Sequence, residues 1–304
     1  MKILFMGTPE FSVPILEALN EKYEIALVIS QPNRVKKKGV FLDTPVAAKA
    51  KELGLNLFQP EHIKEHIDYI TGIDADIIVT AAYGQYVPSK ILNAFKKCIN
   101  VHGSILPKYR GGAPIQRCLM NGEKTTGVTI MEMTKKLDAG VMYAKAYYDI
   151  LEEDNNESLF NKLSIIGRDL LLDNIEDIYN GKNVGEPQDE ALATYSPNIA
   201  KEEEKIDLND KSINIINKIR GLAYEPGAYL EVGDIKLKVF KAKEVACEES
   251  YEVGYVIDTK KRIVLKTLDS AIELLEVLYP GKKIISGKEF SNGQKLFNCG
   301  SVIK

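Results

Sequence analysis

The chain has no tryptophan, only three histidines and only four cysteines in 304 residues, and each scarcity closes off some chemistry. Cys98, Cys118, Cys247 and Cys299 lie far apart and form no C-x-x-C pair. That argues against a disulfide framework and against a thiolate zinc site; free thiols in a reducing, cytoplasmic setting are expected. No run of about 18 apolar residues occurs, so no membrane span is predicted. The opening Met1-Lys2-Ile3-Leu4-Phe5-Met6 breaks at Gly7-Thr8-Pro9 and is too short for the apolar core of a signal peptide. The first strand is not followed by G-x-G-x-x-G, and no G-x-x-x-x-G-K-[ST] exists, so neither a dinucleotide fingerprint nor a P-loop is present. Neither sign of charge dominates, with 40 Lys+Arg against 43 Asp+Glu. The charge is uneven, however: −6 up to residue 207 and +3 beyond it. A mildly basic tail on an acidic body is compatible with a polyanionic partner that touches part of the surface.

What is present reads as a soluble α/β protein. Hydrophobic residues make up 45 % and charged residues 27 %, an ordinary globular balance. Lys2–Met6, Tyr23–Ser30, Asp76–Ala82 and Cys98–His102 are strand-like runs. Helical patterns separate them, from Phe11 to Asn20 and from Thr44-Pro45 to Leu53. Strands alternating with helices predict a Rossmann-like, doubly wound, mostly parallel sheet. In such sheets ligands sit beyond the carboxyl ends of the strands, and Gly7, Tyr83-Gly84 and His102-Gly103 all fall there. Two more strands are expected near Gly127–Met133 and Val141–Ile150, then a long helix from Glu157 to Tyr179. After a Gly- and charge-rich stretch comes a helix near Lys211–Gly221. Short strands between turns over Ala228–Val277 predict a small antiparallel β-barrel. The expected division is residues 1–189, a linker at 190–207, and a barrel at 208–304.

The most informative stretch runs from Asn100 through Val101-His102-Gly103-Ser104-Ile105-Leu106-Pro107-Lys108-Tyr109-Arg110-Gly111-Gly112-Ala113 to Pro114. Asn100 and His102, two apart on a strand, share a face. The loop after them is rich in Gly and Pro, with main-chain amides and one arginine, and can hold a polar planar ligand. Leu137-Asp138-Ala139-Gly140 offers a carboxylate in another tight turn. An amide, an imidazole and a carboxylate together suit acyl transfer. Asn100 and protonated His102 would donate to a tetrahedral oxyanion, and Asp138 would help remove the proton of an attacking amine. An isolated histidine after a strand is more often structural, so spacing alone leaves both accounts open. His62-Ile63-Lys64-Glu65-His66 fits the H-x-x-E-H zinc pattern. The segment is polar, follows Pro60 and has no evident third ligand; a surface helix with incidental histidines is the simpler account.

Taken together these stretches resemble the 10-formyltetrahydrofolate-dependent formyltransferases. The resemblance rests on Phe5-Met6-Gly7-Thr8-Pro9-Glu10-Phe11, Ser30-Gln31-Pro32-Asn33-Arg34, Ala82-Tyr83-Gly84 with Pro88, and the Asn100–Pro114 stretch. Thr126–Met131, Leu137–Gly140 and Thr194-Tyr195-Ser196-Pro197 extend it over most of the chain. It implies that Asn100, His102 and Asp138 are the catalytic trio. It implies that Ser104, Ile105, Leu106 and Pro107 contact the folate, with Tyr83 and Gly84 lining its pterin pocket. The implied formyl donor is 10-formyltetrahydrofolate, with no metal and no covalent enzyme intermediate, and a monomer is expected.

Within the family the resemblance favours the branch whose acceptor is methionyl initiator tRNA. Ala113-Pro114-Ile115-Gln116 points there, whereas sugar-nucleotide N-formyltransferases more often carry Asn at the position of Gln116. The implied tRNA contacts are Arg34, Lys36, Lys37 and Lys38 in a basic loop able to neutralise phosphates. From charge alone a solvated surface loop is the readier account. The family's terminal barrel is an oligonucleotide-binding-like (OB-like) domain. Here it would offer Lys236, Lys238, Lys241 and Lys243, of which three are expected to share a strand face. The bland account is a wet strand face whose lysines discourage edge pairing. Rival readings are a sugar-nucleotide formyltransferase, a glycinamide ribonucleotide formyltransferase (which would stop near residue 200), a formyltetrahydrofolate hydrolase, and a non-catalytic tRNA-binding protein.

Overall fold

Ile3-Leu4-Phe5-Met6 shows no polar alternation, the pattern of a strand covered on both faces, and all four side chains are fully buried. In the computed structural model, which describes residues 1–36, 40–293 and 296–303, they form β1 (Lys2–Gly7). The first part of the chain continues through α1 (Val13–Lys22), β2 (Glu24–Ile29), β3 (Arg34–Lys36), β4 (Val40–Leu42), α2 (Pro45–Glu52), β5 (Leu57–Phe58) and α3 (Ile67–Thr71). Then follow β6 (Ile77–Ala81), α4 (Ser89–Leu92), β7 (Lys97–His102), α5 (Pro114–Met120), β8 (Thr125–Glu132), β9 (Met142–Asp149) and α6 (Asn156–Tyr179). Seven strands join in the order β5-β2-β1-β6-β7-β8-β9. The first five are mutually parallel, while β8 and β9 each run antiparallel to the strand before. The predicted Rossmann-like, mostly parallel sheet is therefore present, with an antiparallel edge. Strand order reverses at β1, with β2 on one side and β6 on the other. That is the topological switch that opens a crevice at the strands' carboxyl ends.

Local chemistry explains the element boundaries. Thr44 Oγ1 accepts from the Ala47 N–H at 3.2 Å while Pro45 occupies the first turn, a side-chain cap on a pre-set φ. At the start of α6, Asn155 Oδ1 accepts from the Ser158 N–H and Ser158 Oγ accepts from the Asn155 N–H, at 2.9 and 3.1 Å. This reciprocal arrangement closes two otherwise orphaned donors.

The chain clusters into two compact units, neither contiguous in sequence. The first comprises Met1–Pro114, Thr125–Asp149 and Phe160–Pro197; the second comprises Ile115–Lys124, Ile150–Leu159 and Asn198–Lys304. The second unit contains α7 (Ser212–Leu222), β10 (Ala228–Val232), β11 (Ile235–Val245), β12 (Val256–Asp258), β13 (Ile263–Lys266), β14 (Ala271–Leu278), β15 (Ile284–Ser286) and α8 (Gly287–Gly293). The strands form one curled antiparallel sheet in the order β10-β11-β14-β13-β12, with β15 also on β14. Its core includes Ile215 and Ile219 of α7, Leu230, Leu237, Val239, Leu265, Leu274 and Phe290.

On β11 the register slips around Lys241, and Val239 and Phe240 are both buried in succession. A bulge restores the alternation after a slip of this kind. Three of the four β11 lysines have close partners. Lys236 donates to Tyr229 Oη at 3.0 Å, Lys238 to Pro226 O, and Lys243 pairs with Glu273 at 3.3 Å. The wet-face account of this strand is thus partly realised.

Candidate active site

His102 is the last residue of β7, and Asn100 sits two residues before it on the same strand. Their neighbours Ile99 and Val101 are buried, as expected when successive side chains take opposite faces. Next to Asn100 in the sheet is Thr80 of β6. The Thr80 hydroxyl donates to Asn100 Oδ1 at 2.8 Å. This fixes the amide so that Nδ2, which has no partner among the described residues, is the end left to donate.

His102 is 5 % exposed. Its Nε2 lies 2.9 Å from Tyr109 O, and its Nδ1 lies 3.8 Å from Asp138 Oδ2. Asp138 takes a left-handed backbone with φ +47°, an uncommon conformation that Asp tolerates better than most residues. Its Oδ2 also accepts from the Gly111 N–H at 2.8 Å. The carboxylate therefore lies between the imidazole and the glycine turn that follows Arg110. Histidine and carboxylate, 36 positions apart in sequence, are brought together as the sequence reading required.

The loop after His102 is tied largely by its own side chains. Ser104 Oγ donates to Lys108 O at 2.7 Å. Thr129 Oγ1 donates to Ser104 O at 2.7 Å and accepts from the Leu106 N–H at 3.1 Å. Ser104 is buried, and Leu106 packs in an apolar cluster with Met131 and Met142. Two of the four residues expected to contact folate thus turn their side chains into the protein. The Ile105 N–H and the Leu106 C=O have no partner among the described residues, and Pro107 O accepts weakly from the Thr194 N–H at 3.3 Å. What this stretch offers a ligand is main chain.

Tyr83 similarly buries its ring, 4 % exposed, among Leu4, Ile63, Ile78, Val87 and Ile91. Burial pushes its hydroxyl pKa upward, and the hydroxyl has no hydrogen-bond partner among the described residues. Tyr83 O accepts from Thr8 Oγ1 at 2.9 Å and from Gln31 Nε2 at 3.0 Å. Gly84 has φ +85°, and a Cβ there would overlap Gln31 Nε2. Glycine is needed at this point because the positive φ is strained for any residue with a side chain.

Arg110, which the sequence presents as a cation in a ligand-holding loop, is fully buried and ion-paired. Its Nη1 and Nη2 donate to the two carboxylate oxygens of Glu190 at 3.1 and 3.0 Å. Its Nε and Nη2 donate to Gln188 Oε1 at 3.0 and 2.8 Å. The fork geometry is that of a bidentate guanidinium–carboxylate pair. The pair holds the Glu190 carboxyl down at about 2, through hydrogen bonds from Arg110 and then Lys136. Residues 194–196 add main-chain bonds to the same loop: Arg110 N–H to Thr194 O at 2.9 Å, Ser196 N–H to Arg110 O at 2.7 Å, and Ala113 N–H to Ser196 O at 3.0 Å. Sequence reasoning missed Thr80, Gln188 and Glu190. None belongs to a local motif, and only the spatial pairing reveals them.

Of the basic loop, Arg34 and Lys36 lie on β3, whose backbone pairs antiparallel with β4; Lys37 and Lys38 lie outside the described residues. The H-x-x-E-H stretch is not one helix. Ile63–Glu65 forms a single 3₁₀ turn, His62 and His66 have non-helical backbones, and the His66 ring meets Phe58 edge-on at 5.0 Å. No cluster of three or more His, Cys, Asp or Glu able to hold a metal occurs among the described residues. No helix among them is long and apolar enough to cross a membrane.

The mostly parallel sheet with its switch of strand order at β1 agrees with the family comparison. Residues 1–175 match the formyl transferase model and residues 198–295 its C-terminal domain model. The chain belongs to the formyl transferase family. It is 45 % identical over 298 residues to the methionyl-tRNA formyltransferase of Lactobacillus acidophilus, covering 96 % of this chain and 95 % of that one. It is 45 % identical to the protein of the same name from Streptococcus pyogenes serotype M2, covering 96 % of each. Among solved structures it resembles an N-formyltransferase from Helicobacter canadensis in complex with folinic acid and dTDP-3-aminofucose. That match has TM-score 0.70 at 19 % identity and covers 90 % of this chain and 98 % of that one. HypX from Aquifex aeolicus in complex with tetrahydrofolic acid matches with TM-score 0.67 at 17 % identity. It covers 97 % of this chain, which spans about half the length of HypX (47 %). At such identities the two structures speak to fold alone.

Proposed function

We propose that the protein transfers the formyl group of 10-formyltetrahydrofolate to the α-amino group of methionyl initiator tRNA. The observation that carries this reading is the approach of Asp138 Oδ2 to His102 Nδ1 at 3.8 Å, beside an Asn100 amide whose oxygen is already engaged by Thr80. The amine nitrogen attacks the formyl carbon, and the carbonyl oxygen becomes an oxyanion. Asn100 Nδ2 and the His102 Nδ1–H, the ring nitrogen not held by Tyr109 O, donate to that oxyanion; each such donor contributes about 3–4 kcal/mol to lowering the barrier. Asp138 accepts the proton leaving the amine. The bond between the formyl carbon and N10 then breaks, and N10 takes a proton, so one C–N bond forms and one is lost. For the donor, the free main-chain pair at Ile105 N–H and Leu106 C=O suits the amide-like edge of a pterin. Catalytic roles for Asn100, His102 and Asp138, and folate contact through Ser104–Pro107 and the Tyr83-Gly84 turn, follow from this reading. So do a tRNA-facing role for Arg34, Lys36, Lys37 and Lys38, a monomeric state and action in the cytoplasm without a metal.

The test supplies 10-formyltetrahydrofolate and compares four acceptors: methionyl initiator tRNA, methionyl elongator tRNA, glycinamide ribonucleotide and an amino-sugar nucleotide. Preferred formylation of the initiator tRNA is the expected result. Preferred transfer to either small acceptor would overturn the choice of substrate, and no transfer to any acceptor would overturn the enzyme.

A further inference from the structure

Gln188 lies in a stretch, residues 176–197, that neither family match covers, and its carboxamide uses all of its hydrogen-bonding capacity. Oε1 accepts two bonds from the buried Arg110, at 3.0 Å from Nε and 2.8 Å from Nη2. Nε2 donates to Asp138 O and to Gly140 O, both at 2.8 Å. A carboxamide has two lone pairs and two N–H donors, so nothing is left over. It also cannot flip, because that would set its NH₂ against a guanidinium and its oxygen against two carbonyls. The turn it grips is the one in which Asp138 adopts φ +47°. A left-handed backbone is strained for a residue with a side chain, so this turn needs support from outside its own segment. The Gly111 N–H steers the carboxylate at 2.8 Å from the other side. Gly111 directly follows Arg110, so a single amide links the histidine loop to the carboxylate turn.

We infer that Gln188 is a positioning residue for the formyl-transfer centre: it touches no substrate and acts by holding the Asp138 turn at its distance from His102. The inference rests on the reading of the site as a formyl-transfer centre.

Gln188→Glu separates this role from plain tethering. Glutamate keeps the shape and an acceptor for Arg110, so a residue that merely fastens its segment to the loop would be replaced without loss. It presents oxygen, in place of N–H, to Asp138 O and Gly140 O, so the turn is pushed away. The expected result for Gln188→Glu is kcat lower by ~10–100-fold, the range for a catalytic group displaced by about 1 Å. KM for each substrate should change by less than about twofold, the split expected when an interaction made only in the transition state is lost. In an Asp138→Ala background the same substitution should cost no further activity, since residues acting as one unit are non-additive. Wild-type kcat in Gln188→Glu, or an equal further loss on top of Asp138→Ala, would overturn the inference. Should the glutamate variant fail to fold, Gln188→Met, which removes both sets of bonds at similar volume, is read through the same double-mutant comparison. Absence of formyl transfer by the wild-type protein would instead refute the proposed function, so the two failures are distinguishable.

Discussion

At the scale of single residues, the site depends on groups being held in one orientation. His102→Ala and Asp138→Ala should each lower turnover by ~10²-fold or more, as for positioned acid–base groups, with thermal unfolding of both variants close to wild type. Near-normal turnover in both would remove their assignment. Thr80 acts one step back. Thr80→Val keeps the shape but removes the bond to Asn100 Oδ1. It should cost ~10-fold in kcat, less than the ~10²–10³ lost when an oxyanion donor is deleted outright. Unchanged kcat would mean that the Asn100 amide is oriented by something else. In the sequence, a strand's two-residue period and a Gly-marked turn place Asn100, His102 and Asp138, but only the family resemblance singles them out as a trio. Thr80 was not legible, because an apolar run offers no sign of which hydroxyl reaches across to the next strand. The Tyr83 ring is core, so what this residue offers the Gly84 turn is its backbone. An Ala-Tyr-Gly sequence fits a ring in the core and a ring in a pocket wall alike.

Among elements, the histidine loop and the segment 188–196 behave as one piece. Their bond is an ion pair with one partner fully buried, Arg110, and the other about half exposed, Glu190 at 55 %. The Glu190 carboxyl is held below its usual 4.5, at about 2. A lowered folded-state value stabilises the fold above the unfolded pKa and stops doing so as pH falls through the folded one. The contribution is therefore complete above about pH 4.5 and fades toward pH 2. Glu190→Gln should melt below wild type at pH 7, and the two curves should converge as pH falls through that window. A gap that is constant with pH would assign the effect to packing. Gly127 on β8 is a second constraint of this kind. A Cβ there would overlap Ala146 O on β9 and Ile105 Cδ1 of the loop. Gly127→Ala should destabilise by about 1–3 kcal/mol, the usual cost of overpacking, measured by urea unfolding. The role of Arg110 could not be read from its surroundings. A cation in a Gly-rich loop looks like an anion holder, and its carboxylate partner stands 80 residues away in sequence.

For the whole molecule, alternating strand and helix signals predicted a mostly parallel sheet, and the seven strands follow suit except at the β8–β9 edge. Order within the sheet was hidden, because crossovers to either side of β1 leave the same local pattern. The curled second sheet was legible from its turns, whereas the slip on β11 that sets the spacing of its lysines was not. Charge belongs to this scale too. Replacing Arg34, Lys36, Lys37 and Lys38 with neutral residues should raise KM for the aminoacylated tRNA and flatten its dependence on salt, since fewer counterions are released. Folate KM should stay as it was, and an unchanged salt slope would return the loop to ordinary solvated surface. The Arg110 lock also bears on how the protein is made. A growing chain that has just cleared the ribosome through α6 already carries its asparagine, histidine and aspartate. Gln188, Glu190, Thr194 and Ser196, which make the clamp, have still to emerge. The histidine loop therefore closes late, only once the stretch that clamps it has emerged.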